Sequence, residues 1–101
     1  MHSVSIDIAA DHPAFAGHFP DRALLPGVAL LAEVLEAAGA EPVLRERLGA
    51  TPRIAHVKFL SPVLPGARLR LTLQPLDHGM RFTVHEGERL VATGLFDAVP
   101  S

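Results

Sequence analysis

The chain contains no cysteine, so disulfides and thiolate metal sites are excluded and nothing in it asks for an oxidising compartment. Charge of one sign is also lacking. The net charge is −2 over 101 residues, so a nucleic acid or other polyanion is not implied as a partner. No apolar run reaches the length of a membrane span. The opening stretch, Met1 to Asp7, alternates polar and apolar residues and is no signal peptide, which makes the cytoplasm the expected location. Internal repeats, low-complexity tracts, a serine nucleophile elbow, a P-loop and a dinucleotide fingerprint are all missing, and no cofactor is expected. His2, His12, His56, His78 and His85 form no pair at metal-ligand spacing with a supporting carboxylate, so no metal site is expected either.

What is present is a globular composition, 49% apolar and 20% charged. The length predicts one domain, residues 1–101. A domain this small gains from sharing its core, so a homodimer is expected. Val4, Ile6 and Ile8 alternate with polar residues, predicting a half-buried strand. Asp11-His12-Pro13 predicts a short helical turn. Pro20 and Pro26 stiffen a loop over 17–26. One long helix follows over about 26–39, with Val28, Leu31, Ala32, Leu35 and Ala38 at helical spacing and Leu30 and Val34 widening the apolar face. A short second helix is predicted over 41–48. From residue 53 the period becomes two. Ala55, Val57 and Phe59, then Leu69, Leu71 and Leu73, then Met80, Phe82 and Val84 mark three strands, and 89–96 a fourth. The fold class is α+β, an antiparallel sheet around one central helix.

The most informative stretch runs Gly17-His18-Phe19-Pro20-Asp21-Arg22-Ala23-Leu24-Leu25-Pro26-Gly27. It resembles the active-site motif of the bacterial 3-hydroxyacyl-acyl-carrier-protein dehydratases, G-H-F-P-G-x-P-x-x-P-G. A second stretch, Lys58-Phe59-Leu60-Ser61-Pro62-Val63-Leu64-Pro65-Gly66, is similar to that family's K/R-F-x-x-P-V-x-P-G strand and bend. The resemblance implies a hotdog fold, an acyl thioester substrate on acyl carrier protein, a role in fatty acid or related acyl-chain metabolism, and a dimer. It also implies His18 as the base that removes the α-proton and Phe19, Pro26 and Gly27 as substrate-binding residues. The backbone N–H at the helix start would hold the thioester oxygen.

Where the family carries its catalytic carboxylate, on what should be the inward face of the helix, this sequence has Ala32. Glu33 is one step, about 100°, around the helix. Glu36 lies one turn beyond Ala32 on nearly the same face. Either is a candidate acid, and both also fit a plain solvated stripe. Likewise His18 fits a packed loop histidine as well as a base, and Gly27 fits a tight helix start as well as an oxyanion contact. Asp21, Ala23 and Ala67 depart from the family pattern. Asp21 either orients His18 or serves as a turn residue. Three functions follow: a 3-hydroxyacyl thioester dehydratase (a hydro-lyase), an acyl thioesterase, or a non-catalytic acyl-binding or partner subunit. Arg22, Arg53, Lys58, Arg68 and Arg70 are solvated cations, some of them able to meet an acidic carrier protein or a phosphopantetheine phosphate.

Overall fold

Alternation of Val4 and Ile6 with Ser3, Ser5 and Asp7 gives β1, His2–Asp7, with one half-buried face and one exposed. A 3-10 turn, Pro13–Phe15, follows. The computed structural model describes residues 1–15 and 25–98. Helix α1, Gly27–Gly39, begins directly after Pro26, whose φ of −60° suits the residue before a helix and whose missing N–H costs nothing there. Helix α2, Pro42–Leu48, opens on a proline of its own. Four strands complete the chain: β2, Pro52–Phe59; β3, Arg68–Leu76; β4, Gly79–Glu86; and β5, Arg89–Ala98.

The five strands form one antiparallel sheet in the order β1-β3-β4-β5-β2. Register follows the alternation, so Leu71 pairs with Val4 on one side and Val84 on the other. The inward rows Leu69, Leu71 and Leu73 of β3 and Met80, Phe82 and Val84 of β4 are buried. They meet Leu30, Leu31, Val34 and Ala38 of α1 and Leu44 and Leu48 of α2. Phe82 and Phe96 anchor the centre, with ring centroids 5.3 Å apart. Gly94 lies beside them. A β-carbon there would fall 2.6 Å from the Phe82 ring and 2.8 Å from the His56 carbonyl oxygen, so only hydrogen fits. Beyond β1, the Ile8 N–H donates to the Ala67 carbonyl and the Gly66 N–H donates to the Ile8 carbonyl, both at 2.8 Å, tying the Pro65-Gly66 turn to the end of β1.

The elements stand close to where periodicity puts them, with two corrections. First, Val28 and Ala32 were expected in the inward stripe of α1, yet Val28 is 81% exposed and Ala32 is exposed. The buried stripe centres on Val34, and a residue two positions away points about 200° around the helix. One flank of α1, carrying Val28 and Ala32, is therefore open, whereas Leu31 and Ala38 are buried as expected and Leu35 packs against the core. Second, Ala55, Val57 and Phe59 were expected to face inward, but only Val57 is half-buried. β2 is an edge strand whose register with β5 shifts at Ala55, between Ile54 and His56, and of the three only Val57 packs against the core.

Candidate active site

Residues from the two motifs line one cleft. Leu25, Gly27 and Leu30 form one wall; Phe59, Leu60, Ser61, Pro62 and Val63 form the other, enclosing about 430 Å³. The Leu25 N–H donates to the Val63 carbonyl at 2.9 Å, joining the stretches directly. The second wall is held by Leu60 and Ser61, whose N–H groups both donate to the Val91 carbonyl, at 2.8 and 3.2 Å.

Gly27 is the first residue of α1, and among the described residues no side chain caps the helix start, Pro26 having none to offer. The Leu30 N–H closes the first turn onto the Pro26 carbonyl at 3.1 Å. Helix geometry leaves the Gly27, Val28 and Ala29 N–H groups without intrahelical acceptors, and the helix dipole adds partial positive charge there. A β-carbon on Gly27 would lie 2.6 Å from the tip of the Phe59 ring. Glycine at 27 thus allows the ring to lie against the helix start. Phe59 remains 48% exposed, so its outer face borders the cleft.

The two candidate carboxylates lie elsewhere. Glu33 and Glu36 line a second groove, about 480 Å³, formed with Val4, Ile6, Ala37, Ala40 and Glu41 between β1 and α1. Glu36 is exposed, whereas Glu33 is half-buried, with its Oε1 2.9 Å from the Nε2 of His12. His2 Nδ1 and Glu41 Oε2 stand 3.3 Å apart at the other end. The structure therefore brings Leu25 and Gly27, on either side of Pro26, together with the second motif and places Glu33 and Glu36 on the β1 side of the same helix. His18 and Phe19 lie outside the described residues, as do Asp21 and Ala23. Ala67, the other departure from the family pattern, is buried in the core.

Sequence reading passed over His12. Its partner is 21 residues away, and neither helical nor strand periodicity links a 3-10 turn to a helix at that separation. The remaining charges act locally. Arg68 Nε donates to Asp7 Oδ1 at 2.9 Å, and this hydrogen bond, then the carboxylate's charge, raises the guanidinium pKa. Arg53 stands 3.7 Å from Asp97. Among the described residues no three His, Asp or Glu side chains gather closely enough to hold a metal ion, and no helix is long and apolar enough to cross a membrane.

The family profile described as ApeI-like, ApeI dehydratase, matches residues 1–95. The 3-hydroxyacyl-[acyl-carrier-protein] dehydratase FabZ of Bartonella bacilliformis is 35% identical over 75 residues, covering 69% of this chain and 49% of that protein. The chain spans about half the length of the curated relatives it matches. Among solved structures, the dehydratase heterocomplex ApeI:P from Xenorhabdus doucetiae superposes with a TM-score of 0.76 at 26% identity, over 94% of this chain and 83% of that one. A point mutant of the fluoroacetyl-CoA-specific thioesterase FlK aligns with a TM-score of 0.67 at 13% identity, over 95% of this chain and 84% of that one, a likeness of fold alone. The architecture is the hotdog fold shared by these dehydratases and thioesterases.

Proposed function

The chain belongs to the ApeI-like dehydratase family, and from that premise we propose that it dehydrates a 3-hydroxyacyl thioester, carried on acyl carrier protein, as a single hotdog domain working in a cytoplasmic homodimer. The observation that carries this reading is the convergence of the two motifs on one cleft, with the uncapped start of α1 in its wall. In the reaction, His18 takes the α-proton of the substrate. The electron pair left on that carbon forms the new double bond, the β-carbon–oxygen bond breaks, and the departing hydroxyl takes a proton and leaves as water. Charge growing on the thioester oxygen is met by the free N–H of Gly27. Phe19, Pro26 and Gly27 are the substrate-binding residues in this reading, and Phe59 borders the cleft.

The proton for the hydroxyl comes from Glu36 of a second copy, since on its own chain this carboxylate lies in the groove beside β1, away from the cleft. Ala32 has none to give. Glu36 is one turn along α1 from it, about 40° around the helix, and is exposed. No described side chain hydrogen-bonds or pairs with it, whereas Glu33 is held by His12.

The dimer follows from apolar residues around the cleft. Val28 succeeds Gly27, Phe59 and Leu60 line the wall, and Leu64 succeeds Val63. These four are 81, 48, 49 and 52% exposed. A second copy seated over them would cover the open flank of α1 that carries Ala32.

The test is incubation of the purified protein with 3-hydroxyacyl and acyl thioesters, with enoyl product and free thiol followed separately. Enoyl product is expected. His18→Ala should lower turnover by about 10² to 10⁴ with the fold retained, the usual cost of a lost general base, and Glu36→Gln should lower it as well. Release of free thiol without enoyl product would replace this reading with thioester hydrolysis. Neither product, even with a related chain added to supply a carboxylate, would leave an acyl-binding subunit.

A further inference from the structure

Both helices pack on one face of the sheet, and no described element covers the other. Alternation fixes what that open face carries. Leu69, Leu71 and Leu73 of β3 and Met80, Phe82 and Val84 of β4 point into the core. Their strand neighbours, Arg68, Arg70 and Arg81 among them, therefore point away from it. The outer faces of β1, β5 and β2 follow through the register.

The carboxylates on this face are engaged. Asp7 accepts a hydrogen bond from Arg68 Nε at 2.9 Å, and Asp97 lies 3.7 Å from Arg53. Lys58, Arg70 and Arg81 remain. All three are exposed, and none is ion-paired among the described residues. Nor do their cross-strand neighbours offer an acid. Arg70 lies between Ser5 and His85, Arg81 between Gln74 and Leu95, and Lys58 beside Thr93. On a chain with a net charge of −2, this face carries positive charge that nothing of its own answers.

Spacing decides what kind of anion fits. Strands lie about 4.8 Å apart and residues rise about 3.4 Å, so the three cations stand roughly 12 to 16 Å from one another. A lone phosphate needs donors converging within hydrogen-bond reach, so a small anion is excluded. A broad anionic surface is required. A second copy laid face to face would set like charges against each other. A lipid surface asks for apolar side chains to enter it, and no large apolar residue of β3, β4 or β5 is exposed. Carboxylates spread over a folded protein match the pattern. Lys58 also ties the face to the cleft. It directly precedes Phe59, which lines the cleft, and successive residues of a strand point to opposite faces.

We propose that the open face of the sheet, through Lys58, Arg70 and Arg81, is the docking surface for the acidic carrier protein that brings the substrate. The inference rests on the reading of the substrate as carrier-borne. Docking of this kind is electrostatic, so it favours encounter, weakens with salt and leaves the chemistry in the cleft unchanged.

The test sets acyl carrier protein bearing a 3-hydroxyacyl chain against the same chain on free pantetheine. In the triple variant Lys58→Glu, Arg70→Glu, Arg81→Glu, KM for the carrier-borne substrate should rise at least about tenfold with kcat changed less than about twofold. Its kcat/KM for the pantetheine thioester should stay within about twofold of wild type, because that substrate has no carrier to dock. Arg45→Glu, the same charge change on the exposed side of α2, should leave both substrates unaffected. Carrier binding followed by fluorescence anisotropy should weaken in the triple variant, and in the wild type as salt rises from about 0.05 to 0.5 M. Thermal midpoints check folding, and Arg70→Glu and Arg81→Glu singly replace the triple variant if it does not fold.

The docking surface is overturned if the reversed charges leave carrier binding and KM at wild-type values. It is also overturned if both substrates slow alike, which places the damage in the cleft. Phosphatidylglycerol vesicles that need these three residues for binding, while the carrier does not, would give the face to a membrane instead. If the wild type makes enoyl product from neither substrate, the dehydratase reading fails, while anisotropy with the carrier still judges the surface without recourse to activity.

Discussion

Single atoms decide what the interior and the site tolerate. At Gly94 the nearest groups to an added β-carbon are the buried Phe82 ring and a backbone carbonyl in β2, and neither can swing aside. Gly94→Ala should lower stability by about 1 to 3 kcal/mol, the cost of overpacking a filled core, read as a lower urea midpoint with unchanged slope. Gly27 has a similarly short approach, but from a ring that is 48% exposed and able to turn outward, so the two glycines differ in consequence. Ala32 is the opposite case. It is exposed, so Ala32→Glu should change stability by no more than about 0.5 kcal/mol. The new carboxyl would stand on the flank of α1 that carries Val28, where the family has its acid. Turnover of 3-hydroxyacyl thioester should rise, and Glu36→Gln should matter less in that background. An Ala32→Glu protein that folds and is no faster would show that the flank does not face the reacting hydroxyl.

Helices and strands were largely legible in the sequence, because their signals are local. Pro26 and Gly39 bracket α1, Pro42 opens α2, and the alternation of leucines with arginines and threonines over 68–73 gives β3 its inward face. β2 was legible as a strand, but its faces were not. A bulge at Ile54/His56 depends on β5, more than 30 residues later, and periodicity carries no information about which strand ends at an edge. The inward face of α1 was misjudged for a related reason. Ala32 is apolar enough to belong to a core, and only the packing of Leu31, Val34 and Leu35 shows that it does not. The cleft was legible through its motifs, since each wall carries one of them. The His12–Glu33 contact was not, because nothing short-range encodes it.

For the molecule as a whole, large apolar side chains stay exposed about the cleft, and Ile54 of the edge strand is 51% exposed. Edge strands that keep apolar residues outward invite pairing with another chain. A stable interface of this kind removes at least about 1,000 Å² from water. Sedimentation at micromolar concentration should show a dimer. Val28→Lys and Ile54→Lys should each weaken it roughly tenfold or more, since about 1.4 kcal/mol is a factor of ten in affinity and a lysine ammonium cannot be left unpaired in an apolar contact without such a cost. A wild-type chain that sediments as a monomer would remove the dimer and with it the role given to the open flank of α1.

The strand order also has a consequence for the chain as it is made. β1 leaves the ribosome first, but its partner β3 begins at Arg68, and β2 must await β5 at Arg89. At about 5 to 20 residues per second, β1 waits roughly 3 to 13 s for its neighbour. Through that interval Val4, Ile6 and the buried face of α1 have no sheet to cover them. Within the β3-β4-β5 meander, each strand pairs with its neighbour in the chain. Assembly on the ribosome therefore runs backwards: the β3-β4-β5 meander closes first, and the earlier β1 is added to its margin.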